Sequence, residues 1–192
     1  MPFEIDPVIP AGALSSAPQP TLRTPDGELA LRAPESTDVP AVRAAFRDPD
    51  IRYWHARSME SDDEARAWIA DAREGWLKES SGQWLVTRAA DGEPLGRIAL
   101  KDINPLDGCA EIAYWVLPTA RGTGVAPRAV TALTEWATGL GFHRLDLLHS
   151  TRNEPSCRVA LKSGYPLEGT RRSFALHTDG WHDMHVHTRI NS

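Results

Sequence analysis

Apolar positions along the chain follow two rhythms, one near 3.6 residues and one of two, and their order sets out a mixed domain. Leu29 to Ala33 reads as a short strand. Ser36 or Thr37 caps a following helix that tolerates Pro40 in its first turn and turns Val42, Ala45 and Phe46 to one side. Arg47 to Glu60 reads as a loop. Ser61-Asp62-Asp63-Glu64 is a capping box, after which Ala65, Trp68, Ile69, Ala72 and Trp76 recur at helical spacing. Three strands are predicted next, Gln83 to Arg88, Leu95 to Lys101 and Glu111 to Leu117, with Asp91-Gly92 and Asp107-Gly108 at the turns between them. A long amphipathic helix spans about Gly124 to Leu140, with Ala126, Val130, Leu133, Ala137 and Leu140 on one stripe and Gly141 as its stop. A strand from Arg144 to Leu148, a short helix opening at Pro155 and closed by Gly164, and strands over 167–176 and 181–190 complete the order. This succession predicts an α+β fold, a central mixed sheet covered by helices, and excludes a simple doubly wound alternation.

Composition narrows the class. The 192 residues are 41% hydrophobic and 24% charged, the range of an ordinary globular domain, and the length suits a single core. Eight of the 15 prolines fall in the first 40 residues. Residues 1–21 therefore read as an extended or mobile leader, and 22–192 as one domain. The uncharged stretch from Pro7 to Leu22 is broken by prolines and preceded by Glu4 and Asp6, unlike a signal peptide. No apolar run nears the ~20 residues of a membrane span. Twenty-one basic against 26 acidic side chains give a net charge of −5, with no basic block for nucleic acid. Two cysteines, Cys109 and Cys157, suggest a reducing compartment, and a cytoplasmic location is expected.

Chemistry concentrates where the third strand of the meander ends. Arg121-Gly-Thr-Gly-Val-Ala126 stands between that strand and the long helix, so unpaired N–H groups and the positive end of the helix dipole converge on one spot. Gly122 and Gly124 free the backbone to approach an anion, and Arg121 adds charge. The ligand expected there is a phosphate or pyrophosphate. A dinucleotide fingerprint fails, because Pro127 occupies the third glycine position, and no Gly-Lys-Ser/Thr triplet marks a nucleotide triphosphate loop.

These residues resemble the (Gln/Arg)-Xaa-Xaa-Gly-Xaa-(Gly/Ala) signature of the GNAT superfamily of N-acetyltransferases. Ala110-Glu-Ile-Ala-Tyr-Trp-Val116, Asn153-Glu-Pro-Ser156, Val159 to Tyr165, Leu167-Glu-Gly-Thr-Arg171 and Gly180-Trp-His-Asp183 are similar to its RimJ/RimL-like branch, the ribosomal-protein N-terminal acetyltransferases. The resemblance spans about 29–190. It implies a splayed sheet of about seven strands with helices on both faces, and acetyl-CoA as co-substrate. It implies that the pyrophosphate rests on the amides of Gly122, Thr123, Gly124, Val125 and Ala126, and that the pantetheine arm pairs near Val116 and bonds Asn153. The activity implied is acetyl transfer to a primary amine, a peptide or protein N-terminus or a small molecule, by direct attack through a tetrahedral intermediate. The alternative is a non-catalytic acyl-CoA-binding or regulatory module. A homodimer is compatible with the resemblance.

Such a transfer needs a neutral amine, an oxyanion donor and a partner for the departing thiolate. The resemblance implies the Val116 N–H as oxyanion donor, with Glu111 as candidate base. Many relatives carry a tyrosine seven residues after the helix-opening Asn. Here that position is Ala160, and the resemblance to the RimJ/RimL-like branch implies Ser156, at the N-terminus of the short helix, as the thiolate partner. Pro127 removes one amide from the helix start, and Arg128 is available to reach a phosphate instead. The resemblance implies that the loop before the capping box borders the acceptor site, so Trp54 is expected to line it. His182, Asp183, His185 and His187 invite a metal, but period-2 geometry separates His182 from the others and no further Cys/His pair is evident, so no metal is expected. Cys157 has no local histidine to activate it as a nucleophile.

Overall fold

A computed structural model describes residues 4–191; residues 1–3 of the expected leader and residue 192 lie outside it. Eight strands form one sheet: β1 (Leu22–Arg23), β2 (Leu29–Arg32), β3 (Gly82–Arg88), β4 (Pro94–Asn104), β5 (Cys109–Val116), β6 (Arg144–Ser150), β7 (Leu167–His177) and β8 (Gly180–Ile190), in the order β1-β2-β3-β4-β5-β6-β8-β7. The expectation of about seven is exceeded by the two-residue β1. Five helices accompany them: α1 (Val39–Ala45), α2 (Pro49–His55), α3 (Asp62–Leu77), α4 (Val125–Gly139) and α5 (Glu154–Lys162). No helix among the described residues is long and apolar enough to cross a membrane.

The mixed sheet and its helices match the predicted class. One core packs α4 against the sheet, with Val130 and Leu133 sealed on Ile98, Leu100, Ile112 and Leu145. A second core, on Val42, Phe46, Ala65, Leu85 and Trp115, holds α1 and α3. Each fully buried Leu or Ile contributes about 1.5–3 kcal/mol, so both faces of the sheet are firmly covered. Ser61 caps α3 as expected, its Oγ accepting the Glu64 N–H at 3.1 Å. The box is shifted by one residue, because the Glu64 carboxylate accepts the N–H of Glu60, not of Ser61. Neither Ser36 nor Thr37 caps α1. They lie in a 3-10 turn, closed by the Asp38 carboxylate on the Glu35 N–H at 2.7 Å.

Two expectations are corrected. Residues 49–55 are helical, since Asp48 accepts the Ile51 N–H at 2.9 Å and Pro49 fits the first turn. Residues 9–20 of the leader are fastened to the domain: Ile9 and Leu14 are buried in the larger core. Glu79 accepts the N–H groups of Gly12, Leu14 and Ser15, and the indoles of Trp76 and Trp84 donate to the carbonyls of Ala17 and Pro20. The segment turns over residues 11–16, with the Ala13 N–H on the Pro10 carbonyl and the Ser16 N–H on the Gly12 carbonyl, while its few apolar side chains and further amides find partners inside.

The feature that positions the site is a splay. β5 and β6 are the parallel neighbours, and their register runs only from Cys109↔Arg144 to Ile112↔Leu147. Beyond Ile112, β5 stays on β4 while β6 continues on β8 to Ser150, so a notch opens beside Ala113 to Val116.

Candidate active site

The anion loop is built as its sequence suggests. β5 ends at Val116, a 3-10 turn covers Pro118–Ala120, and Gly124 opens α4. The amides of Gly122, Thr123, Gly124, Val125 and Ala126 meet no acceptor among the described residues. Gly122 and Gly124 stand at φ +79° and +80°; a Cβ would meet nothing at Gly122 and only Arg128 Nε, at an ordinary 3.9 Å, at Gly124. Backbone conformation, not crowding, is therefore what requires glycine there. The Thr123 hydroxyl donates to the Ala120 carbonyl at 2.8 Å and tightens the turn.

The charges are distributed differently from the expectation. The Arg121 guanidinium is tied to Asp48 and to Asp50 (2.9 Å), and its Nε donates to the Val116 carbonyl at 3.3 Å. It braces the start of α2 against the loop. Arg128 is held by Asp26 (3.0 Å) and Glu28 (2.6 Å). The cations that line the cavity of about 470 Å³ over the loop, besides Arg121, are Arg158 and Lys162 of α5. Lys162 has no ion-pair partner among the described residues. Sequence spacing missed both, since they lie more than 30 residues past the signature.

In the notch, Leu117 donates to Leu95 of β4 at 2.9 Å. Alternation then turns the polar groups of Val116 and Tyr114 to the open side. There the Tyr114 carbonyl meets His55 Nε2 at 3.2 Å. Burial, reinforced by Arg97, lowers the His55 pKa to about 4, so the ring is neutral and Nε2 donates.

Ser156 lies in the first turn of α5. Its N–H is satisfied by Asn153 Oδ1 at 3.1 Å, so the asparagine's oxygen is committed to capping and its NH₂ group is what remains for a ligand. The Ser156 hydroxyl instead shares a hydrogen bond of 2.9 Å with Tyr114 Oη. Burial pushes the Tyr114 phenol up to about 12. Tyr114 thus brings a phenol to the helix that lacks one at Ala160. The pair spans 42 residues of sequence, so no local spacing could have disclosed it.

Glu111 lies on β5 beside Lys101, with Oε1 2.9 Å from the ammonium. Burial raises its pKa, and Lys101 opposes that rise. Glu111, Lys101, Asp102, Tyr114 and Ser156 all line a second cavity, of about 690 Å³. The two cavities share Trp54, His55, Tyr114, Trp115, Asn153 and Ser156. Trp54 therefore stands at their junction, carried by α2. Of the histidines, His182 is bonded to Ser150 Oγ (2.8 Å) and Asp179 (2.9 Å) and stacks on His177. His185 and His187 are joined by His149 and Cys157, partners that strand alternation within β8 could not supply.

Residues 28–166 match the family model described as the acetyltransferase (GNAT) domain. The chain belongs to the GNAT acetyltransferase family. As a GNAT protein it is an acyltransferase enzyme, and the sequence resemblance is upheld. It is 26% identical over 164 residues to the uncharacterized N-acetyltransferase YoaA of Bacillus subtilis, covering 84% of this chain and 93% of that one. It is 31% identical over 101 residues to the ribosomal-protein-serine acetyltransferase of Escherichia coli, covering 52% and 56% of the two chains. In fold it resembles RimL, the ribosomal L7/L12 alpha-N-protein acetyltransferase solved with coenzyme A, at a TM-score of 0.78 and 22% identity over 88% of this chain and 97% of that one.

Proposed function

We propose that this GNAT enzyme transfers acetyl from acetyl-CoA to a primary amine by direct attack. The observation that carries the reading is the row of five unpaired amides opening beside a notch shared by two cavities. The loop amides, with Arg158 and Lys162, suit a pyrophosphate, and the Val116–Tyr114 edge suits an amide-bearing arm. Acetyl-CoA supplies the thioester. The Val116 N–H is turned to the side where an oxyanion would need a donor. Glu111, with its pKa raised, takes the amine proton directly or through water. The Tyr114–Ser156 pair hydrogen-bonds the sulfur as the C–S bond breaks and the C–N bond forms. Both cavities reach the same six residues, which supports attack within a ternary complex with no acyl-enzyme.

The acceptor cavity carries Arg57, Arg97 and Lys101 against Asp102 and Glu111. A wall with more cations than carboxylates disfavours a polyamine and favours an amine with one positive charge, such as a peptide α-amine. The test is release of CoA thiol from acetyl-CoA across peptides, polyamines and small amines, with the product identified by mass. Release with a peptide amine and none without acceptor is expected. CoA binding with no turnover on any amine would instead favour a binding module.

A further inference from the structure

Three buried imidazole nitrogens have no hydrogen-bond partner among the described residues: Nε2 of His149, Nδ1 of His185 and Nε2 of His187. They lie together. His149 of β6 is the cross-strand partner of His185 on β8, and His187, two residues along, projects from the same face. The ring centroids are 5.3 Å (His149–His185), 5.1 Å (His149–His187) and 6.0 Å (His185–His187) apart. Cys157 of α5 completes the group, and one ligand atom from each of the four residues lies within 4.8 Å of all the others.

Two tautomers are fixed by what the rings touch. His149 Nδ1 is 2.8 Å from the Ser150 carbonyl and His187 Nδ1 is 2.9 Å from the Tyr165 carbonyl. A carbonyl only accepts, so each Nδ1 carries the proton and each buried, unpartnered Nε2 is left with its lone pair. Metal-binding histidines are held in this way, one nitrogen pinned by an acceptor and the other bare.

We propose that His149, Cys157, His185 and His187 form a binding site for a zinc-class divalent ion, which ties α5 to β6 and β8. Three imidazoles and a thiolate are a borderline-soft donor set, matched to zinc or cobalt(II) and poorly suited to calcium or magnesium, which take oxygen ligands. Four protein donors leave no open position, so the ion is structural and takes no part in acetyl transfer. Zn–N bonds of about 2.0–2.1 Å and a Zn–S bond of about 2.3 Å place tetrahedral donor atoms roughly 3.3–3.6 Å apart. The side chains, already gathered within 4.8 Å, reach that spacing by modest rotation. Water is the competing occupant. It can donate to the two fixed lone pairs and accept from the thiol, and the cobalt titration separates it from a metal ion.

The full-length, tag-free protein is stripped with chelator and titrated with cobalt(II), then with zinc. The expected result is one equivalent bound per chain, visible absorption of tetrahedral cobalt, and a thiolate-to-cobalt charge-transfer band that zinc abolishes. Cys157→Ser should lose that band and Cys109→Ser should keep it. His187→Gln should weaken binding at least as much as loss of an outer-shell partner, about 10–100-fold. Zinc should raise Tm of the parent chain but barely move Tm of Cys157→Ser, a readout that stands even if His187→Gln fails to fold. Substoichiometric binding, an octahedral spectrum, or a charge-transfer band surviving in Cys157→Ser overturns the proposal.

Discussion

Replacing Tyr114 with phenylalanine tests the thiolate partner most directly. The phenol is 2.9 Å from Ser156 Oγ and its pKa is pushed up to about 12. A free thiol ionises near 8.5, so passing the phenolic proton fully to the thiolate is uphill by about 3.5 units, or roughly 5 kcal/mol. On the proposed mechanism the tyrosine would hydrogen-bond the leaving sulfur without surrendering its proton, and solvent would complete the protonation. A hydrogen bond to a charged group is worth about 1.5–3 kcal/mol, which sets the loss in kcat at about 10- to 100-fold. Phenylalanine fills the same space, so KM for acetyl-CoA should stay within about twofold, as for loss of an interaction formed only in the transition state. The alkaline limb of the rate profile should not move, since the phenol titrates beyond it. Thiol release at saturating amine provides kcat. An unchanged kcat removes the oxygen pair from the reaction, and a loss beyond about 10⁴ contradicts the hydrogen-bond argument in favour of full proton transfer.

Other outcomes follow from neighbouring groups. Gly122→Ala meets no clash but must hold φ +79°, a strain of about 1–2 kcal/mol, and should weaken CoA binding by calorimetry and lower Tm by about 2–8 °C. Arg121→Ala should lower stability by about 1 kcal/mol or less in denaturant titration, whereas Lys162→Ala should chiefly weaken CoA binding; the reverse ranking would return Arg121 to the phosphate site. His55 has a folded pKa of about 4 against 6.5 unfolded, so the unfolded chain binds the extra proton between those values and stability falls as pH drops from 6.5 to 4. The fall amounts to about 3 kcal/mol, and His55→Asn should flatten the curve by that much; parallel curves would refute it. Glu111 as base places the acid limb of kcat/KM above the usual carboxylate range, and Glu111→Gln should abolish that limb.

How far the chain could be read in advance depended on the reach of each interaction. Ser61 on Glu64 and the glycines at 122 and 124 act within a few residues, so α3, α4 and the loop between β5 and α4 were legible from spacing. The α2 helix was missed because Tyr53, Trp54 and His55 give no clean apolar stripe, and its cap, Asp48-Pro49, also reads as a turn. Arg121 was assigned to the ligand because its carboxylate partners stand more than 70 residues earlier. Tyr114 with Ser156, and His149 with His185, are joined only by the folding of β5, β6, β8 and α5 around one another. Local chemistry was readable; its tertiary partners were not.

The fastened leader gives the molecule a built-in optical gauge. Trp76 and Trp84 donate their indole hydrogens to carbonyls of residues 17 and 20, and they cluster with Trp136 at centroid separations of 5.3–6.0 Å. Peeling residues 9–20 away would wet this trio and redden its emission, while Trp54 at the cavity junction reports separately on ligand entry. Shortening the chain to begin at Leu22 would strand the Glu79 carboxylate and uncover aromatic surface, so the proline-rich start is a clasp on the domain that trimming would release.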